Sequence, residues 1–560
     1  MNSRSQELES ISGQQFDLCV IGGGATGSAC ALDAHLRGIR TVLLEAADFA
    51  GATSSAATKI VHGGVRYLEQ AIKGADLQEY RVLVRALHER VRMLENAPHL
   101  TRTLEFLVPS YHWIDVAYLD IGLKIYDWLA GPGRISPSKF LSREETLERM
   151  PELNPKGLVG SVVYADGQFD DARYNIALVQ TLAMAGGNTL NYAKVTDFLR
   201  GENGKVSGVV VKDELSEDTF SVKAKAIINA TGPFSDSIRR LANPTLERRI
   251  RPSKGSHILL PMEVFPTEDA LLIPKTVDGR VVFAIPWGGR LLVGTTEEEV
   301  APDAEVLVTK ADVAYLLLHI NQYLEQPVTP NEIVSGFAGL RPLVGSTGDG
   351  DTKTLARDDV IEMDPTSGLI SIMGGKWTTH RAMAEDTVHC AQQVLGIPQT
   401  DSQTRNHILY GGEGFTDDYW KKLCREYQVS EGTARHLAAK FGTASGRVLE
   451  LTTETPALLE TILVGGRAIR AEVVYAIRYE MAVTVEDILA RRLGMQFYSW
   501  QDCIDAAPLV GSLMAKELQW AEPFARESIN NYVGKINHLI DSAGLSHKGS
   551  RPSVSRVAAD

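Results

Sequence analysis

Three glycines near the start of the chain constrain its fold more than any other feature. Gly22, Gly24 and Gly27, in the spacing G-x-G-x-x-G, directly follow a short apolar run at 16–21. That run reads as a buried parallel strand. A helix-period stretch covers 26–37, and a second apolar run, 41–44, ends at Glu45. The order strand, tight turn, helix, strand predicts the phosphate-binding half of a dinucleotide fold. Gly22 permits the turn, Gly24 lets backbone approach a pyrophosphate, and Gly27 lets the helix pack close to the strand. The helix N-terminus, opened by Ala25 and Thr26, offers N–H groups and a positive dipole to that anion. Glu45 is placed to accept hydrogen bonds from a ribose 2′-hydroxyl and would repel a 2′-phosphate. The fingerprint alone leaves FAD and NAD both open. A second strand-to-turn segment at 227–233, containing Ala230, Thr231 and Gly232, is of the kind that returns a chain to a flavin.

At 560 residues the chain exceeds what one core supports, so two or three domains are expected. A net charge of −13 argues against nucleic-acid binding, and a phosphate ligand has to be met by a local basic pocket in an acidic field. Five scattered cysteines without a C-x-x-C pair argue against a disulfide framework or a zinc site, and no metal site is expected. The N-terminal 15 residues lack the apolar core of a signal peptide, and no run of 18 apolar residues offers a membrane span.

Periodicity predicts helices at 78–95 and 116–129. It predicts strands at 189–212 around a turn at 202–204, at 220–230, at 258–260, 281–285 and 291–294, and at 332–342 and 368–373. Beyond about residue 396 the character becomes helical, at 417–427, 433–441, 472–479, 485–493 and 502–518. The tail at 545–560 reads as disordered.

Several longer runs carry a resemblance. They are Thr53-Ser54-Ser55-Ala56-Ala57-Thr58-Lys59-Ile60-Val61-His62-Gly63-Gly64-Val65-Arg66-Tyr67-Leu68, Lys254-Gly255-Ser256-His257, Gly294-Thr295-Thr296, Gly339-Leu340-Arg341-Pro342-Leu343 and Gly374-Gly375-Lys376-Trp377-Thr378-Thr379. Through them the chain resembles the FAD-dependent glycerol-3-phosphate dehydrogenases, bacterial aerobic and mitochondrial. The resemblance implies an α/β FAD-binding Rossmann-like domain with an inserted mixed or antiparallel-sheet substrate domain and a C-terminal α-helical domain. The FAD-dependent region would cover 16–390, with cofactor segments near 16–80, 155–255 and 340–390 and substrate segments near 81–154 and 256–339. The helical domain would cover 400–540. Departures from the family pattern are Glu297, where Asp is usual, and Ala56 and Ala57, where serine or arginine is common. No D-x-D-x-D-G loop occurs, so calcium control is not expected.

The implied reaction oxidises sn-glycerol 3-phosphate to dihydroxyacetone phosphate, with hydride passing from C2 to FAD N5 and electrons going on to a membrane quinone. By resemblance Arg66 and Arg341 clamp the phosphate, a task suited to their planar forks. Tyr67, His257, Lys376 and Thr378 complete the pocket. Thr53, Ser54, Ser55, Lys59, Val195, Gly375, Lys376 and Thr378 join the fingerprint residues around FAD. The base for the C2 hydroxyl is open among His62, His257, Lys59, Lys376 and Arg341. The aromatic segment at 111–128 reads either as a lipid-surface contact or as a core helix. The same resemblance implies peripheral placement on the cytoplasmic face of a bacterial inner membrane and leaves a homodimer open. The alternative is an oxidase that uses O2 and makes H2O2; such enzymes carry a long insertion not seen in this chain.

Overall fold

The computed structural model describes residues 4–64, 77–131, 135–274, 276–345 and 359–546. Arg66, Tyr67 and the tail from 547 onward lie outside the described residues.

Gln15–Ile21 lies at the centre of a first sheet, pairing in parallel with Thr41–Leu44 on one side and Thr219–Asn229 on the other. Asn188–Leu190 and Ile370–Gly374 extend it in parallel at the two flanks. Asp359–Met363 adds an antiparallel edge, and Ala193–Arg200 and Val206–Asp213 form an antiparallel ribbon with Thr219–Asn229. Alternate side chains separate into two cores. Leu18, Val20, Leu43 and Ile228 join residues of the helices Ala25–Leu36, Asp171–Met184 and His380–Leu395. Cys19, Ile21, Val42, Leu44 and Ile227 join residues of the ribbon. Burial on both faces explains why these strands read as unbroken apolar runs.

The second sheet is mostly antiparallel. Its order is Glu298–Glu299, Ile250–Pro261, Arg290–Gly294, Val282–Trp287, Ala270–Ile273, Thr101–Ser110, Gly160–Phe169 and Ile60–Val61. Ser335–Val344 pairs with Ile250–Pro261, and Lys139–Ser142 with Gly160–Phe169. Here too residues alternate between faces. Leu107, Val163, Ile258, Leu260 and Val293 share one core with the helix Lys310–Ile320 and the C-terminal helices. Phe106, Val108, Tyr164, Leu259 and Leu292 share another with the helix Trp113–Ala130.

Two segment boundaries shift from expectation. Gly160–Phe169 and Ser335–Val344 both belong to the second sheet, whereas the resemblance places about 155–255 and 340–390 with the cofactor. Every residue of Gly160–Phe169 is buried, so it shows no polar alternation that would reveal its partner. The helical domain contains Tyr419–Tyr427, Glu431–Phe441, Ser445–Glu454, Arg470–Tyr479, Trp500–Leu518 and Glu522–Ala543, and Asp487–Arg492 winds as a π-helix. All five cysteines are free thiols.

Candidate active site

The glycine turn is shaped as its spacing predicts. Gly22 has φ +110°, and a Cβ there would meet the Ala230 carbonyl at 2.6 Å. A Cβ on Gly24 would lie 2.8 Å from Ser54 Oγ. Gly24 caps the helix Ala25–Leu36 with no side chain, which leaves its opening turn accessible to an anion. Ala25 N–H donates to Ser54 Oγ at 2.9 Å, binding the fingerprint to the Thr53–Ser55 turn. Glu45 accepts N–H groups from Gly23 at 2.6 Å and Ala47 at 2.9 Å, so its carboxylate is oriented at the strand end. Burial raises its pKa against those donors. Ala193 N–H donates to the Glu45 carbonyl at 2.7 Å, which sets the ribbon, and Val195 beside its bulge, next to the same wall. Across the turn, Ala230 N–H donates to Ile21 O at 2.8 Å, and Thr231 Oγ1 donates to Asn229 Oδ1 at 2.7 Å. Gly232 follows at φ +55°. A helix N-terminus at which, among the described residues, only the first N–H is taken up by a side chain, that of Ser54, glycines with no room for a side chain and an oriented acid at the second strand end together fit a dinucleotide such as FAD.

The Thr53–Ser55 turn ties this cradle to the second sheet. Thr53 Oγ1 donates to Leu340 O at 2.7 Å, and Trp377 Nε1 donates to Ser54 O at 3.0 Å. The runs containing Arg341 and Lys376 therefore meet at one turn. Gly374 and Gly375, at φ +75° and +80°, lead into Lys376, which caps the short helix Trp377–Thr379. Thr378 Oγ1 accepts the His62 N–H at 3.3 Å. Tyr126 Oη accepts the Gly63 N–H at 3.0 Å and donates to Asp166, which pairs with the buried Arg90.

Arg341 and His257 lie in neighbouring strands. The Arg341 guanidinium donates to Thr295 Oγ1 at 3.0 Å and to Thr296 O at 3.4 Å. It occupies the space a side chain at Gly255 would fill. The His257 ring lies over Gly294, where a Cβ would approach its Cγ to 2.7 Å. It stacks on Phe337 with centroids 4.7 Å apart. His257 Nε2 bonds Thr58 Oγ1 at 3.0 Å, and its buried Nδ1 has no hydrogen-bond partner among the described residues. Burial first, then the positive charges of Arg341 and Lys59, hold the imidazole well below the usual histidine range. A neutral, buried imidazole beside a guanidinium can accept a proton from a hydroxyl that the guanidinium helps to place.

Lys59 differs from the other candidates. Its ammonium is fully buried, donates to Ser55 O at 2.7 Å and pairs with Asp171 at 2.5 Å. The rings of Trp287, Phe337 and Phe497 surround it at 4.9, 4.9 and 4.4 Å. Burial pushes Asp171 up to about 6 against the pull of Lys59. The ammonium is thus engaged within the wall. Sequence reasoning did not single out Thr58, Thr295, Asp171 or Tyr126, although the first two lie inside the quoted motifs. Phe497 comes from the helical domain, and no local pattern marks it.

Residues 17–387 match the family described as FAD dependent oxidoreductase, and residues 402–523 match the C-terminal domain of alpha-glycerophosphate oxidase. The mitochondrial glycerol-3-phosphate dehydrogenase of Bos taurus is 39% identical, over 92% of this chain and 72% of its own length. The human protein of the same name is 38% identical, over 94% and 74%. The structure of the glycerol-3-phosphate dehydrogenase from Bacillus halodurans complexed with FAD superposes with a TM-score of 0.78 at 30% identity, covering 97% of this chain and 98% of that one. The L-alpha-glycerophosphate oxidase from Mycoplasma pneumoniae, at 19% identity and a TM-score of 0.54, shares the fold over 70% of this chain. Matched by the family model over residues 17–387 and by these dehydrogenases over more than nine-tenths of its length, the chain belongs to the FAD-dependent glycerol-3-phosphate dehydrogenases.

Proposed function

We propose that this chain oxidises sn-glycerol 3-phosphate to dihydroxyacetone phosphate and delivers the electrons to a quinone in a membrane. The observation that carries the reading is the Arg341 guanidinium, held by Thr295 and Thr296 over Gly255, next to a neutral buried His257. Arg341 binds the substrate dianion, and Arg66, outside the described residues, is its proposed partner in the clamp, with Tyr67. His257 accepts the proton of the C2 hydroxyl as hydride leaves C2, and Thr58 on Nε2 fixes the ring's orientation. His62, whose backbone is tied to Thr378, lines the same end together with Lys376. Bound FAD supplies the two-electron acceptor. Gly22, Gly24, Gly27, Glu45, Ser54 and Thr231 hold it by the contacts their positions offer.

The quinone reading rests on one outer surface. The helix Trp113–Ala130 keeps Val116, Leu123 and Tyr126 inside but leaves Trp113 67%, Ile114 82%, Ile121 61% and Trp128 77% exposed. Exposed tryptophan and isoleucine on one helix suit the interfacial layer of a bilayer, where the quinone resides. No described helix is long and apolar enough to cross a membrane. Peripheral placement on the cytoplasmic face of a bacterial inner membrane is part of the same proposal.

The test is anaerobic bleaching of the flavin absorbance by glycerol 3-phosphate, with glycerol as control. Bleaching by glycerol at equal concentration would overturn the phosphate clamp. Turnover with a soluble quinone in air, without stoichiometric peroxide, supports the dehydrogenase over the oxidase. Ile114→Ser with Trp128→Ser should abolish sedimentation with lipid vesicles while leaving turnover of the soluble quinone intact.

A further inference from the structure

A buried ionic cluster joins the helical domain to the cofactor cradle, and neither substrate nor hydride chemistry uses it. It starts three residues beyond Glu45. Both carboxylate oxygens of Asp48, itself 1% exposed, are grasped by arginines of the helical domain. Arg492 donates Nη1 to Oδ2 at 2.8 Å and Nη2 to Oδ1 at 2.9 Å, and Arg491 donates Nε to Oδ2 at 2.5 Å. Both arginines stand on the π-helix Asp487–Arg492. Adjacent residues on a helix point well apart, yet here both reach one carboxylate.

The cluster closes a ring around the glycine turn. Arg492 Nη2 also donates to Glu480 O at 2.7 Å. The Glu480 carboxylate receives two bonds from Arg173, both at 2.8 Å. Arg173 stands on the helix Asp171–Met184, from which Asn175 Nδ2 donates to Gly23 O at 2.9 Å. On the other side Ala50 N–H donates to the same Gly23 O at 3.2 Å, and Gly23 N–H donates to Glu45. The fingerprint turn is therefore held from the Glu45 loop and from the helix; the helical domain's arginines bind the first holder at Asp48, and its Glu480, itself bonded by Arg492, binds the second at Arg173. A buried network of this kind is a weak source of stability, because desolvating each ion offsets the attraction. Its geometry fixes one arrangement of the loop.

We propose that Arg491 and Arg492 are positioning residues for FAD: by clasping Asp48 they set the Glu45 loop against the glycine turn, so the cradle is complete only with the helical domain docked. The proposal rests on FAD binding at the fingerprint and not on the identity of the substrate.

The experiment dilutes the holoenzyme and follows FAD release by the rise in free-flavin fluorescence, which needs no substrate. Asp48→Asn and Arg492→Lys are compared with the parent; the second keeps a buried cation but loses the two-pronged grip. Both should weaken FAD binding by about tenfold or more. At saturating FAD, the KM for glycerol 3-phosphate and kcat should return to within about twofold of the parent. An unchanged FAD affinity in a variant with native circular dichroism overturns the proposal, even if its melting temperature falls. A raised substrate KM at saturating FAD overturns it as well. Should Asp48→Asn not fold, Arg492→Lys decides alone.

Discussion

Replacing Gly255 with alanine adds one methyl group where the structure has room for none. Gly255 lies within the strand Ile250–Pro261 and is not among the described glycines with positive φ, so alanine is acceptable to the backbone. The new Cβ would stand 2.5 Å from Arg341 Nη2, 2.6 Å from Nη1 and 2.7 Å from Thr295 Oγ1. Ordinary contact begins at 3.4 Å, so the guanidinium has to retreat by about 0.9 Å, breaking its bond to Thr295. The two nearest obstructed atoms end the flexible Arg341 side chain, and the third, Thr295 Oγ1, can turn away by rotation about χ1, so folding tolerates the change. Catalysis does not: a misplacement near 1 Å in a positioning group costs about 10²-fold. That corresponds to about 2.7 kcal/mol of transition-state stabilisation. Gly255→Ala should therefore retain FAD and its melting temperature, while kcat/KM for glycerol 3-phosphate falls about 100-fold in steady-state assays. A value within threefold of the parent, with FAD bound, would refute the placement of the phosphate at Arg341.

Tyr126→Phe leaves the buried Gly63 N–H and one Asp166 oxygen without the hydroxyl, costing about 1–3 kcal/mol by urea denaturation and raising the substrate KM. A variant as stable as the parent would refute that role. Burial holds His380 at about 4, below the ~6.5 of an unfolded histidine. The unfolded chain therefore takes up the proton first, and this contribution is intact above about pH 6.5 and is lost as pH falls toward 4. His380→Gln should flatten the fall in urea midpoint between pH 7 and pH 5, and an unchanged slope would contradict the assignment. Phe497→Ala should cost about 3–5 kcal/mol, because it empties a buried site and removes a ring from around Lys59. Thermal melting would measure that loss, and a shift within error would show the box to be dispensable.

The cradle was legible because its physics is local. Gly22, Gly24, Gly27 and Glu45 fall within one strand–helix–strand unit, and the restrictions on Gly22 and Gly27 act within it or on the end of the strand beside it; that on Gly24, against Ser54, does not. The strand Gly160–Phe169 was not, since a segment buried on both faces carries no alternation to read. For Asp487–Arg492 the sequence predicts a helix, but no local signal marks its π winding, which goes with two adjacent arginines reaching Asp48, a contact 443 residues away. His257 and Arg341 were named from motif, while what makes them a pair is strand register, with His257 opposite Phe337 and Ser253 opposite Arg341. The exposed side of Trp113–Ala130 could not be separated from a buried one by composition, because both are rich in aromatics.

Family comparison divides the chain after residue 387 and resumes at 402, as though two pieces had been joined. The interior ignores that seam. Ile258, Leu260 and Val293 of the second sheet sit in one apolar mass with Ile488, Val510 and Ile536 of the helical part. Cutting the chain between the two segments would strip those sheet residues of their cover and leave a wet, adhesive face. The two halves must therefore melt together, as one cooperative unit rather than as a flavoprotein with a detachable appendage.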